Sequence, residues 1–473
     1  MALALGALLR CWNLRGSSLY SDEAFTFAAS GQPIPALLQT ITNHDFHPPL
    51  FYLMTHALMS WLRWPLPQYR FFTAGAGLVT IAAAWGFARR EFGPVAAAVA
   101  AFVVALAPSL VQYDRLYRMH SLTVALCALS WWLLVEIAQA PTARRRWLWA
   151  AYAIAAIVMP YVDYFGGLVL LAQAAYAFAR RRALAPVFAC VTAAMLAFVP
   201  WLGAPRAQFP LGGVALSRPA LDSGLLASVR SAFAAGIPDA ALRIPHFDAL
   251  FAVMVLALAL TGAWLGRRGA LPFWLGVLPL QIALSLVLGK NLAFFPRYLL
   301  LTVPALAIAV GALVATLTAQ RRALLAAAIA LAVALPLASG TSNLLFNAYY
   351  QFPDWYAVDA LLQARAQSSD GIVLDEGYEY LVVRNYRAFQ GHPIQVFMNP
   401  SDFSRVLHWI QSNPQRRVWY VEHQNFYWDP QRQILAALAA RRKSLLRWSE
   451  VRQSPVDAVR VELFDRIPMI RVR

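Results

Sequence analysis

Two adjacent carboxylates, Asp22 and Glu23, directly follow the first apolar stretch of the sequence, in the segment SLYSDEAFTF. A carboxylate can take a proton from a hydroxyl or a similar nucleophile, so either side chain could act as a general base. Neighbouring residues of a helix or strand point in different directions. We therefore expect the two carboxylates to have different roles.

Four further segments place polar side chains between apolar runs. They are NHDFHPPLFY with His44, Asp45 and His47; QYDRLYRMHS with Asp114, Arg115, Arg118 and His120; PYVDYFGG with Asp163; and GKNLAFFPRYLLL with Lys290, Arg297 and Tyr298. Arginine and lysine can bind a phosphate group and neutralise its charge as it leaves. Carboxylates combined with such cations suit the transfer of a group from a lipid-linked phosphate.

Several of these residues also have a simpler interpretation. Asp114 and Arg118 are four residues apart and could form an ion pair on one helix. Arg297 could anchor a helix end at the membrane interface. His44 and His47 could be loop residues without partners, or they could bind a metal together with Asp45. Because no tight ligand set is evident, we predict no cofactor, with a divalent metal as the alternative.

The elements that must position these residues are hydrophobic helices. The chain has 473 residues, of which 60% are hydrophobic and 13% are charged, whereas a soluble domain would carry about a quarter charged residues. Runs such as PVAAAVAAFVVALAP have no polar face and are typical of transmembrane helices. The net charge of +17 comes from arginine clusters between these runs. This pattern favours cytoplasmic loops over nucleic-acid binding.

The arginine clusters also predict a topology. We place all of them in the cytoplasm; they lie at 89–90, 144–146, 180–182, 267–268 and 321–322. This predicts about eleven transmembrane helices, a cytoplasmic N-terminus and a first outer loop at about 15–68. The five polar segments then share the outer face. Ionisable residues near membrane depth usually mark a functional site.

The composition changes near residue 340. Beyond it, GIVLD, RRVWYVEH and AVRVELFD are strand candidates, and PQRQILAALAARRK is a helix candidate. Strands that alternate with helical segments indicate an α/β fold. We predict an all-α polytopic membrane domain over 1–340 and a soluble α/β domain over 341–473 on the periplasmic or extracellular side.

Four motifs resemble the C-type glycosyltransferase superfamily, in particular its protein O-mannosyltransferases and lipid A aminoarabinose transferases. They are DEA after the first helix, HPPLFY, the Arg-Met pair of YRMHSL, and PRYLLLTVPAL. The resemblance implies a polyprenyl-phosphate sugar donor and identifies Asp22 as the catalytic carboxylate. It places donor-phosphate contacts at His47, Arg297 and Tyr298. Aminoarabinose transferases have lysine in place of His47, so the acceptor does not follow from the resemblance.

Together these observations predict an inverting membrane glycosyltransferase of the bacterial inner membrane. It would move a sugar from a polyprenyl-phosphate donor to a lipid, glycan or protein acceptor on the outer face. The candidate catalytic residues are Asp22, Glu23 and Asp114, and the candidate substrate-binding residues are His47, Arg115, Arg118, Asp163, Lys290, Arg297 and Tyr298. The alternatives are a transporter or lipid-binding protein without chemistry, and an oligosaccharyltransferase that moves a whole glycan. Transporters tend to show paired halves, which this sequence lacks.

Overall fold

The structure is a computed structural model, and it divides the chain into two compact units. The first unit contains Met1–Leu14 and Ala29–Phe346, and the second contains Arg15–Ala28 and Asn347–Arg473. The structure describes residues 1–180, 185–208, 230–235, 246–288, 296–351, 353–375, 379–397, 400–413, 417–423, 429, 431–450 and 458–466. The sequence prediction kept the whole segment 15–68 with the membrane domain. The structure instead groups residues 15–28 with the C-terminal part of the chain.

The first unit is built from helices. In chain order, their bounds in the described residues are Ala2–Cys11, Ser21–Ser30 (whose first eight residues belong to the second unit), Ile34–His44, Leu50–Leu62, Arg70–Phe92, Pro94–Leu106, Pro108–Asp114, Met119–Gln139, Thr142–Val162, Gly166–Arg180, Pro186–Phe198, Gly203–Gln208, Phe247–Leu265, Leu271–Leu275, Val277–Leu288, Pro296–Leu299, Val303–Ala319 and Ala323–Phe346. Short 3-10 turns at Leu66–Tyr69, Val199–Trp201 and Leu300–Thr302 join some of them.

Six helical segments of the described residues are long and apolar enough to cross a membrane: Leu66–Phe92, Met119–Gln139, Phe247–Leu265, Leu271–Leu288, Pro296–Ala319 and Ala323–Phe346. A seventh span results if Pro94–Leu106 and Pro108–Asp114, which are bent by 58°, count as one. The multi-pass class is thus confirmed. The count of about eleven and the sidedness of the loops stay predictions.

The bend at Pro108 has a local cause and a long-range consequence. Proline has no N–H, so the carbonyl of Val104 loses the bond that a continuous helix would give it. The side chain of Arg10 donates to the carbonyls of Val104 at 3.2 Å and Ala105 at 3.1 Å. Its Nε also donates to Asp114 Oδ2 at 2.7 Å. Arg10 is fully buried, and the break therefore creates the acceptors that this buried cation needs.

The second unit carries a five-stranded sheet. Its strands are β1 (Gly371–Asp375), β2 (Ile394–Phe397), β3 (Val418–Glu422), β4 (Arg442–Ser449) and β5 (Arg460–Arg466), in the order β2-β1-β3-β5-β4. The first three are parallel, and β5 is antiparallel to β3 and β4. Helices of the second unit lie at Trp355–Arg365, Tyr380–Val383, Arg387–Gln390, Phe403–Ser412 and Gln433–Ala439, with 3-10 turns at Ala348–Tyr350 and Pro400–Asp402.

The sheet confirms the predicted small α/β domain at the C-terminal end of the chain. All residues of β1 and β3 are buried, as expected for parallel strands that are covered on both faces. The predicted helix over residues 430–443 was too long. It ends at Ala439, and Arg442 begins β4.

Candidate functional site

A buried group of polar side chains lies where several helices of the first unit begin or end. Asp45 and His47 follow the helix Ile34–His44, Arg118 precedes Met119–Gln139, and Asp163 follows Thr142–Val162. We call the group the polar cluster; its members are Asp45, His47, Tyr52, Arg118, His120, Asp163, Arg297 and Tyr298. All of them except Arg297 are at least 91% buried. Sequence analysis predicted five of the eight as site residues: His47, Arg118, Asp163, Arg297 and Tyr298.

Asp45 organises one side of the polar cluster. Its Oδ1 lies 2.9 Å from Nδ1 of His47 and accepts the N–H of Phe46 at 2.8 Å, while its Oδ2 accepts the hydroxyl of Tyr52. Burial alone would raise the pKa of this carboxyl, but the His47 imidazole and the Arg118 guanidinium hold the pKa well below its usual range. Asp45 is therefore an ionised group that orients the His47 ring.

Arg118 contacts Tyr52 and His47 of the same group. Its backbone is extended, with φ −136° and ψ 161°, and it stands just before a helix. Nη1 donates to the Tyr52 hydroxyl at 3.1 Å, and Nη2 lies 3.4 Å from Nδ1 of His47. An Nδ1–H of His47 would donate a hydrogen bond to the ionised Asp45 carboxylate, so Nε2 is the nitrogen that His47 can present to a ligand. Among the described residues, no hydrogen-bond partner reaches this buried Nε2.

His120, Asp163 and Tyr298 form the other side of the polar cluster. His120 Nδ1 lies 3.9 Å from Asp163 Oδ2, and Asp163 Oδ1 accepts the N–H of Phe165 at 2.9 Å. The Tyr298 ring lies 5.9 Å from the ring of His120 and 6.5 Å from that of His47. The guanidinium carbon of Arg297 is 5.4 Å from the centre of the Tyr298 ring. Two arginines, two histidines and two carboxylates thus lie in one group, in which the guanidinium and imidazole groups are the donors that could bind an anion.

Two residues that support this arrangement were missed at the sequence level. Tyr52 belongs to the quoted motif HPPLFY but was not proposed as a site residue. The buried side-chain amide of Gln208 donates to the carbonyls of Ile41 and His47, each at 3.1 Å. Gln208 therefore fixes the backbone at His47 relative to the helix Ile34–His44. No local pattern marks Gln208, because its partners lie more than 150 residues earlier in the chain.

Asp114 and Arg115 make structural contacts with the first helix. Asp114 pairs with Arg10, and a Cβ at Gly77 would come within 2.2 Å of the Asp114 carboxylate. Arg115 donates to the carbonyls of Leu9, Arg10 and Trp12, groups at the end of a helix that need such partners. The alternative interpretation of Asp114 and Arg118 as an ion pair on one helix is wrong, because Asp114 pairs with Arg10. The helix of Asp114 ends at that residue, and the chain is extended at Arg118.

Two further candidates from the sequence are Lys290 and His44. Lys290 lies outside the residues that the structure describes. His44 is exposed at the end of its helix, whereas Asp45 and His47 are buried. Within the described ranges, no group of three or more histidine, cysteine, aspartate or glutamate side chains is arranged to hold a metal.

Asp22 and Glu23 belong to the second unit and occupy the first turn of the helix Ser21–Ser30. Glu23 is fully buried, and its Oε2 accepts the N–H of Tyr20 at 3.0 Å. A glutamate at the third helical position that binds the N–H of the residue before the helix is half of a capping box. Asp22 is half-buried, and its carbonyl accepts the hydroxyl of Thr26 at 2.9 Å. The two carboxylates thus have different environments.

The family model for dolichyl-phosphate-mannose-protein mannosyltransferases matches residues 46–203. This range contains five members of the polar cluster: His47, Tyr52, Arg118, His120 and Asp163. A comparison with curated proteins gives no match.

Solved structures share the fold over nearly the whole chain. ArnT from Cupriavidus metallidurans in the apo state matches with a TM-score of 0.56 and 15% identity, covering 98% of this chain and 96% of that chain. The same protein bound to undecaprenyl phosphate matches with a TM-score of 0.53 and 14% identity, with the same coverage. The archaeal oligosaccharyltransferase AglB from Archaeoglobus fulgidus, in complex with an inhibitory peptide and a dolichol-phosphate, matches with a TM-score of 0.56 and 13% identity, covering 97% and 73%.

At such identities the structural likeness shows a shared fold. Together with the family model, it confirms the resemblance to C-type glycosyltransferases that the sequence motifs indicated. The chain is therefore a multi-pass membrane protein with the fold of these enzymes.

Proposed function

We propose that this protein is a membrane glycosyltransferase that moves a sugar from a polyprenyl-phosphate donor to a lipid, glycan or protein acceptor. The polar cluster of the first unit carries the proposal. In it, a buried His47 with an available Nε2 is combined with two arginines and with carboxylates that hold the imidazoles in place. The undecaprenyl phosphate of the ArnT structure and the dolichol-phosphate of the AglB structure support a lipid-linked phosphate as ligand.

The first role of the polar cluster is to bind the donor phosphate. An anion in a buried site requires charge-assisted donors, which are shorter and stronger than neutral ones. In the imidazolium form His47 would donate through Nε2 to the phosphate while its Nδ1–H donates to Asp45. Arg118 and Arg297 would supply guanidinium donors. When the bond between the sugar and the phosphate breaks, negative charge grows on the phosphate, and the same groups would stabilise it.

The second role, general base, falls to Asp22. The carboxylate would take the proton of the acceptor hydroxyl or amine, and the freed lone pair would attack the anomeric carbon. The bond from that carbon to the phosphate oxygen breaks, and polyprenyl phosphate leaves. This single displacement inverts the configuration at the anomeric carbon. Glu23 serves the helix start and not the proton transfer, because its carboxylate already accepts the N–H of Tyr20.

The proposed location is the outer face of the bacterial inner membrane, with the N-terminus in the cytoplasm. It follows from the distribution of arginine clusters between the apolar runs. Polyprenyl-phosphate sugars would then reach the polar cluster from the outer leaflet.

The experiment separates donor binding from sugar transfer. Purified protein is titrated with undecaprenyl phosphate, and sugar transfer is followed from a pool of labelled polyprenyl-phosphate monosaccharides in membranes. We expect Asp22→Asn to bind undecaprenyl phosphate like the wild type and to transfer little sugar, whereas Glu23→Gln keeps more activity. Near-normal transfer by Asp22→Asn would remove the base from this mechanism. Failure of the wild type to bind undecaprenyl phosphate would contradict the role of the polar cluster.

A further inference from the structure

The segment that carries Asp22 is attached to the second unit just before the carboxylate. Ser18 is buried, and its hydroxyl donates to the carbonyl of Pro353 at 2.7 Å. The same oxygen accepts the N–H of Trp355 at 3.1 Å. One side chain therefore ties residue 18 to the start of the helix Trp355–Arg365 from two directions.

A second attachment follows at the next residue. The backbone N–H of Leu19 donates to the hydroxyl of Tyr386 at 3.1 Å, and both side chains are buried. The Tyr386 ring packs edge-on against Tyr356, with the ring centroids 5.4 Å apart and the ring planes at 90°. A backbone N–H that is buried without a partner is costly. The Tyr386 hydroxyl therefore specifies where Leu19 lies.

These two attachments lead directly into the helix of Asp22. The carbonyl of Tyr20 accepts the N–H of Ala24 at 3.0 Å, and the N–H of Tyr20 is bound by Glu23. The helix thus begins without a flexible joint between Leu19 and Asp22. A displacement at residues 18 and 19 is transmitted to the Asp22 carboxylate within one helical turn.

We propose that Ser18 and Tyr386 are positioning residues for the Asp22 carboxylate, so that the C-terminal α/β part of the chain sets the rate of sugar transfer. The inference rests on the proposed role of Asp22 as general base. It gives residues beyond position 346 a role in catalysis, although the motifs of the resemblance all lie before that position. A misplacement of about 1 Å can lower a rate by about a hundredfold, so loss of one attachment should lower kcat by about tenfold.

The test uses full-length protein in membranes, with labelled polyprenyl-phosphate monosaccharides as donor and undecaprenyl phosphate as the binding probe. We expect Tyr386→Phe and Ser18→Ala each to lower kcat by about tenfold and to leave the affinity for undecaprenyl phosphate unchanged. Ser18→Thr keeps the hydroxyl and should recover part of the rate. The matched control is Tyr356→Phe, which removes a tyrosine hydroxyl from the same domain and should retain wild-type kcat.

A double-variant comparison distinguishes positioning from a general structural role. If Tyr386 acts through Asp22, the Tyr386→Phe change should lower the residual rate of Asp22→Asn by less than twofold, since coupled residues are not additive. A full tenfold further loss would overturn the inference. So would wild-type kcat in Tyr386→Phe and Ser18→Ala while Asp22→Asn is inactive, and in that case the proposed function stands. Normal transfer by Asp22→Asn would contradict the proposed function itself.

Discussion

Asp375 should make the stability of the second unit depend on pH. It ends β1, is fully buried, and its Oδ2 accepts the hydroxyl of Tyr420 at 2.5 Å. The same hydroxyl oxygen lies 3.1 Å from Glu422 Oε2. Glu422 is also bound by Arg432 at 2.9 Å and by Arg460 at 3.1 Å. Burial raises the pKa of Glu422 too, but Arg432 opposes that shift and Arg460 adds a second cation, so a proton in this group belongs on Asp375.

The expected magnitude follows from the pKa of Asp375. Burial raises the pKa of this carboxyl from 3.8 to about 7, the Tyr420 hydrogen bond opposes the shift, and Asp429 and Glu422 add to it. Between these values the folded state binds a proton that the unfolded state does not. Stability is then full below about pH 4 and falls as the pH rises to about 7. A difference of about three units corresponds to about 4 kcal/mol.

The assay is hydrogen exchange of β1 and β3 peptides in the full-length protein in detergent, corrected for the intrinsic effect of pH. Protection in the wild type should fall between pH 5 and pH 8. Asp375→Asn cannot ionise, so its protection should change little over the same range and should exceed that of the wild type at pH 8. The control is Asp359→Asn, whose amide oxygen can still accept the N–H of Ala388. An equal loss of protection in wild type and Asp375→Asn would refute the reasoning.

Three further predictions concern the first unit and the topology. Arg297→Ala should weaken binding of undecaprenyl phosphate by about ten- to hundredfold, because a hydrogen bond to a charged group contributes about 1.5–3 kcal/mol. Arg322→Ala, at an exposed position, should leave this binding unchanged. Equal effects of the two changes would indicate that Arg297 has only a structural role. Asp114→Asn leaves a buried guanidinium without its carboxylate and should lower the unfolding free energy by about 3–5 kcal/mol, measured by thermal unfolding in detergent; an unchanged melting temperature would contradict this. An impermeant thiol reagent applied to intact cells should label Lys443→Cys and spare Arg146→Cys, and the reverse pattern would invert the predicted topology.

The helices of the first unit could be located from sequence because each is defined by its own residues. A segment in the bilayer must satisfy its backbone hydrogen bonds internally, so long apolar runs identify helices without knowledge of their neighbours. The apolar run PVAAAVAAFVVALAP, for example, forms the helix Pro94–Leu106 and reaches the break at Pro108. The strand candidates GIVLD and RRVWYVEH likewise contain β1 and β3. In these cases the hydrophobic periodicity and the apolar content of a segment were enough to predict its secondary structure.

The polar segments between the apolar runs also identified residues that the structure brings together. His47, Arg118, Asp163, Arg297 and Tyr298 come from four separate segments and all belong to the polar cluster. The motifs did not reveal how Asp45 and Tyr52 hold His47 and Arg118.

Sequence alone thus determined the membrane class, the long apolar helices, three of the five strands of the α/β domain (β1, β3 and β5) and five of the eight members of the polar cluster, since these follow from local pattern or from short motifs. Only the tertiary structure decided the partners. The spacing of Asp114 and Arg118 allowed a helical ion pair, but Asp114 binds Arg10, which lies 104 residues away. Ser18 is tied to Pro353, 335 residues further along the chain. Packing excludes water, so buried charges and backbone groups must pair with other protein groups. Which groups pair depends on the tertiary packing, and no local spacing in the sequence indicates it.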